Sequence, residues 1–238
     1  MSRTRKESTA TSQEQRSSEA ESFIKENSLA RYYDEVALKA LAIGNSDARR
    51  GALDDDRALK VKESTEALIQ NLADVETEDS ARAKERPTLR GGATVLCIGG
   101  RGALDEAAAL LLVSLLEKAD VNARLATLAE ASDAGPREHD DLTAVCVCYL
   151  DPENSARAPY LLKRIKRRIP DAMPIAAVFG SETAPNLGDD YRVVTTLDAA
   201  VQAIVSTLAA RQDPAEVDTV ERERRSELEP AAASSTWW

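Results

Sequence analysis

Apolar positions change their spacing near residue 93, and the change separates a helical front from an alternating α/β body. Leu29, Tyr32, Tyr33, Val36, Ala40 and Leu41 recur at intervals that place them on one side of a helix. Gly44 and Asn45 supply the stop that ends it. After "RRGALDDDR", Asp54 is placed to cap a second helix, with Asp55 and Asp56 at the positive end of its dipole. Val61, Thr65, Leu68, Ile69 and Leu72 then draw its apolar stripe. The pair reads as a helical hairpin, with Phe23 and Ile24 on a short helix beside it.

Residues 76–92, "ETEDSARAKERPTLRGG", are charged and end in Pro and Gly signals, the composition of a linker. Beyond it "ATVLCI", "NARLATL", "LTAVCVCYL", "MPIAAVF" and "YRVV" read as strands, and residues 103–119, 154–169 and 197–211 as helices. Strands alternating with helices require right-handed crossovers, hence a parallel, helix-covered sheet. The expected fold is α/β: a flavodoxin-like five-stranded parallel sheet, order 2-1-3-4-5, preceded by a small helical layer. Its expected parts are a tail (1–20), a helical module (21–75), the linker, the α/β domain (93–211) and a second tail (212–238). The tails follow from Ser-, Gln- and charge-rich stretches without apolar periodicity.

Composition narrows the function classes. The net charge of −10, from 31 basic and 41 acidic residues, disfavours contact with a phosphate backbone, so nucleic acid is not an expected partner. The longest stretch free of charge, residues 199–210, falls short of the ~20 apolar residues that span a bilayer. The N-terminus has basic residues but no apolar run behind them. A cytoplasmic location is expected, and the three cysteines, placed in apolar strand-like runs, read as reduced thiols.

In an open α/β sheet a ligand lies over the carboxyl ends of the central strands. That rule gathers Gly99, Gly100, Arg101, Gly102, Tyr149, Asp151, Gly180 and Ser181 around one candidate crevice. The glycines let backbone amides approach an anion at the start of the next helix, with Arg101 as charge partner and Asp151 opposite. A dinucleotide turn, however, wants G-x-G-x-x-G, and Asp105 stands in the third glycine's place. The turn therefore reads either as a tight strand-to-helix connection or as a cradle for another ligand. A phosphoacceptor site would need carboxylates at the ends of the first and third strands, and only Asp151 fits.

Other chemistry is sparse. Cys146 and Cys148 share one strand face, but two thiols do not make a structural zinc site, and His139 sits in the acidic loop "GPREHDD". No metal site and no cofactor is expected. "LLKRIKRRIP" places Lys163, Arg164, Lys166, Arg167 and Arg168 near a helix end favourable to positive charge. They form either a solvated face or a surface for an acidic partner or anionic lipid.

The stretch "SLARYYDEVALKALAIGNSDARRGALDDDR" followed by "VLCIGGRGALDEAAALLLVSLLE" resembles the cytosolic C-terminal extension of autoinducer-2 exporter family permeases, over roughly residues 21–210. That extension is in turn similar to the cobalamin-binding fold, a helical layer in front of a flavodoxin-like domain. Cobalamin binders carry D-x-H-x-x-G after the first strand, the histidine ligating cobalt, then S-x-L after the third and a glycine pair after the fourth. Laid over this chain, the aspartate, histidine and glycine fall on Gly102, Leu104 and Ala107. The later motifs read Cys148, Tyr149, Leu150 and Phe179, Gly180. Leucine cannot ligate cobalt, so the resemblance implies the fold without the cofactor.

The expectation is therefore a non-enzymatic cytoplasmic sensory or interaction module, placed by the resemblance at the inner face of a membrane. Its expected partners are a small-molecule ligand in the crevice and a membrane permease or acidic protein. Tyr32 and Tyr33, expected to be exposed on the hairpin, join the basic cluster as candidate partner contacts. The alternative is a nucleotide- or anion-binding protein, enzymes included, that uses residues 99–102.

Overall fold

The computed structural model describes residues 22–24, 27–73, 94–133, 142–181, 183–188 and 191–212. Both expected tails, the linker and His139 lie outside the described residues. The helical front comprises α1 (Leu29–Tyr32), a π-helical turn (Tyr33–Ala37), α2 (Leu38–Arg49) and α3 (Asp55–Asn71). The body runs β1 (Thr94–Gly99), α4 (Ala103–Lys118), β2 (Asn122–Ala126), α5 (Leu128–Asp133), β3 (Leu142–Tyr149), a 3-10 turn (Asn154–Arg157), α6 (Ala158–Arg168), β4 (Met173–Val178), β5 (Arg192–Val194) and α7 (Leu197–Gln212).

The five strands form one sheet in the order β2-β1-β3-β4-β5, every pairing parallel, the flavodoxin-like arrangement read from the sequence. Alternate residues divide the core as a pleated strand requires. Val95, Cys97, Ala144, Cys146, Cys148, Ile175 and Ala177 pack with α4 and α7. Leu96, Ile98, Val145, Val147, Tyr149, Ala176 and Val178 pack with α6 on the other face. The helical front joins the first of these cores through Leu29, Tyr33, Leu41 and Leu72, so the helical layer and the sheet share one apolar interior.

Several details depart from the sequence reading. The first helical segment does not stop at Gly44; α2 continues to Arg49, and the break comes at Gly51, whose φ of 73° takes the left-handed turn. Gly44 lies inside the helix and faces Leu104, whose Cδ1 is 3.8 Å from where a Cβ would stand, an ordinary contact distance. The π-helical turn rotates the apolar stripe out of phase. Tyr33 and Ala37 turn inward while Val36, expected on the buried face, is exposed. Beyond β2, "TLAE" does not extend the strand. The Thr127 amide donates to Glu130 Oε2 and the Glu130 amide to Thr127 Oγ1, a reciprocal cap that starts α5.

The π-helical turn also brings Asp34 to the start of α7, where Oδ1 accepts from the Leu197 amide at 2.8 Å. One carboxylate thereby ties the helical front to the last helix. Asp34→Ala should lower the free energy of urea unfolding by about 1 kcal/mol. An unchanged unfolding midpoint would show that this cap contributes nothing.

Candidate functional site

The carboxyl edge of β1, β3 and β4 carries the residues singled out for the crevice, and their neighbours decide what each does. The Gly100 amide donates to the Cys148 carbonyl at 2.8 Å, and the Phe179 amide to the Tyr149 carbonyl at 2.8 Å, so the strand ends are laced together. A Cβ on Gly100 would lie 2.2 Å from the Tyr149 ring, and one on Gly99 would lie 2.5 Å from the Glu106 amide nitrogen. Both glycines are therefore demanded by packing: the α4 backbone approaches one and a buried tyrosine covers the other. Burial pushes the Tyr149 hydroxyl up to about 12. Gly102 has no neighbour within 4 Å of such a Cβ.

Gly180 makes a left-handed turn at φ 77°, with the Leu150 carbonyl 3.6 Å from where its Cβ would stand. The Ser181 hydroxyl donates to the Thr183 carbonyl within its own turn at 2.5 Å. Neither is committed to an open cradle.

The charged centre of the edge is built by Asp105, Asp151 and Arg49. Asp105, in the first turn of α4, is 4% exposed, and its Oδ1 accepts the Leu150 amide at 3.0 Å. Its Oδ2 has no hydrogen-bond partner among the described residues. Burial, reinforced by the neighbouring Asp151, raises this carboxyl to about 6, although the Leu150 amide draws it down. Asp151 is buried; its Oδ1 accepts from the Glu153 amide at 2.8 Å and its Oδ2 from Arg49 Nη1 at 2.5 Å. The other arm of Arg49 reaches Glu153 Oε2 at 2.5 Å. Sequence reading passed over Arg49, because its partners lie more than a hundred residues away in the chain and no local pattern marks it.

A cleft of about 240 Å³ opens between the helical front and the start of α4. Arg49, Asn45 and Asp55 line it from the front, Arg101, Gly102 and Asp105 from the body. Leu104, aligned with the cobalt-ligating histidine of cobalamin binders, is 5% exposed and packs toward Gly44 of α2. A corrin ring does not fit these residues: leucine offers no ligating atom, and the contact with α2 closes the layers together.

The partner-binding candidates divide. Tyr33 is completely buried in the shared core, which corrects its expected exposure: the π-helical turn directs it inward. Tyr32 is half-buried, its ring 5.8 Å from Phe23 and 6.1 Å from Tyr33. Lys163, Arg164, Lys166, Arg167 and Arg168 are exposed along α6, whose Leu161, Leu162 and Ile165 face the core. All three cysteines are free and buried. Burial raises the Cys97 thiol, and a hydrogen bond with Cys146 that favours the protonated form, together with burial, raises that of Cys148, so neither supplies a thiolate at neutral pH. Among the described residues no cluster of three metal-ligating side chains occurs, and no helix is long and apolar enough to cross a membrane.

No family model, curated protein or solved structure matches the chain.

Two predictions follow from this geometry. Gly100→Ala should destabilise the fold by about 1–3 kcal/mol, the usual cost of overpacking. That cost should vanish in a Tyr149→Ala background; an equal cost in both backgrounds would show that the ring is not what demands glycine. Asp105, titrating near 6 in the folded chain against 3.8 when exposed, binds a proton on folding between those values. Its contribution to stability is greatest below pH 3.8 and falls as pH rises through about 6. Asp105→Asn keeps an acceptor for Leu150 and cannot ionise. Its stability relative to the native chain should rise across that window, by on the order of 3 kcal/mol in urea unfolding. A flat difference would exclude Asp105 as the titrating group.

Proposed function

We propose that the chain is a non-enzymatic sensory or interaction module whose response is a change in how the helical front docks on the carboxyl edge of the sheet. The observation that carries this reading is Arg49: one guanidinium from α2 holds Asp151 and Glu153, beside the orphaned oxygen of Asp105. Arg49 with Asp151 and Glu153 joins the front to the strand ends, whereas Lys62 and Glu106, at 2.7 Å, tie α3 to the side of α4. A small molecule entering the adjoining cleft would meet Arg49 and Arg101 and compete for the charges that hold the layer.

The buried, protonated thiols and the engagement of Asp151 by Arg49 support a non-catalytic role. The likeness to the cytosolic extension of autoinducer-2 exporter permeases supplies a setting: a regulatory part in the cytoplasm at the inner face of a membrane, with a permease or an acidic protein as partner. A net charge of −10 argues against nucleic acid. The alternative of a nucleotide or anion cradle at residues 99–102 is weakened by the Tyr149 ring, which takes the space beside Gly100.

Arg49→Gln tests the latch in the full chain. Amide hydrogen exchange across residues 29–71 should quicken while β1 and β3 retain their protection. Unchanged exchange throughout residues 29–71 would overturn the proposal.

A further inference from the structure

On the face of the sheet away from the helical front, α6 presents five cations within six positions, 163–168. None of them forms an ion pair or hydrogen bond among the described residues. Lys163, Lys166 and Arg167, at helical spacing, line a groove of about 580 Å³ whose remaining walls are Pro159, Tyr160 and Tyr191. Tyr191 is held in place as its hydroxyl approaches the Pro159 carbonyl at 3.4 Å. Tyr160 is 77% exposed, a large ring left at the rim. Unpaired like charges on one helix face repel one another, so such a face is stabilised by an acidic occupant.

The chain carries such an occupant within reach. Arg211, in the last turn of α7, donates to the carbonyl of Asp171, three residues beyond the end of α6. The chain therefore leaves α7 at the end of the sheet where α6 also ends, next to the loop that follows α6. The next nine residues, "DPAEVDTVE", hold Asp213, Glu216, Asp218 and Glu221 and no Lys or Arg. Nine extended residues reach ~30 Å, while α6, with 11 residues, is ~16 Å long. Tethering at this distance presents the segment at an effective concentration in the millimolar range, enough to favour even a weak contact.

We infer that the cationic groove of α6 is a docking site for acidic peptide and that its resident occupant is this chain's own segment 213–221. The inference is independent of the Arg49 latch, which lies at the carboxyl edge of the sheet.

The test uses the full chain with Thr219→Cys carrying a nitroxide; the native cysteines are buried and do not compete for the label. Amide resonances of residues 160–167 should be broadened. The broadening should disappear in the labelled chain bearing Asp213→Asn, Glu216→Gln, Asp218→Asn and Glu221→Gln, and in ~1 M salt, where screening acts over about 3 Å. The neutralised chain should also bind a hexaglutamate peptide about tenfold more tightly than the native chain, since its groove is uncovered. Absence of broadening, equal broadening in the neutralised chain, or equal peptide affinity would overturn the proposal. Broadening seen only between labelled and unlabelled copies would overturn it too, by assigning the contact to a second molecule.

Discussion

The helix α4 is apolar around nearly its whole circumference, and the rest of the arrangement depends on covering it. Leu104, Ala107, Ala108, Ala109, Leu111, Leu112, Val113, Leu115 and Leu116 are all buried, more than one face of a helix can direct at a sheet. The strands cover one side. Left alone, the other would expose a large apolar surface, and α2 and α3 pack on α4 to remove it from water. The helical front is thus the second half of the core around α4, which explains why its Tyr33 and Leu29 are as deeply buried as any strand residue.

Covering α4 has a consequence at its N-terminus. The front cannot close over the helix without also meeting the turns after β1 and β3, where the sheet's order reverses. Polar groups there must be satisfied as water is displaced. Asp105 turns back to the Leu150 amide, and Arg49 is drawn to Asp151 and Glu153. One carboxylate oxygen, Asp105 Oδ2, is left over. Burial makes this acid hold its proton more tightly than usual, although the Leu150 and Arg101 amides draw it down, so the junction is a proton-sensitive part of the core.

The alternation of strands and helices was legible because each of its parts has a local signature: apolar runs bounded by turn residues, and stripes at helical spacing. The sheet order then followed from connection rules rather than from any single residue. What escaped was whatever depends on contact between distant segments. The residues 30–43 carry a helical pattern whichever way their phase runs, and the π-helical turn with Asp34 meeting α7 goes with the phase that has Tyr33 inward and Val36 outward. Residues 99–102 likewise look the same in sequence whether they cradle a ligand or seat Tyr149. The start of α5 is the exception, since the Thr127 and Glu130 spacing is a local capping signal that could have been read.

The Arg49 junction lies at the carboxyl edge of the sheet and the α6 groove on the face away from the front, and their chemistry differs. The junction around Arg49 is acidic, half-buried and shared between layers, so its occupancy is tied to the packing of the front. The α6 groove is cationic and exposed, anchored by Leu161, Leu162 and Ile165 to a core that the front does not enter. A ligand that loosened the front would leave the foundation of α6 intact. The fold therefore keeps the cationic groove separate from the Arg49 junction, which is joined to the packing of the front. Under the proposed function, that separation would let the α6 face keep its packing while the docking of the front changes.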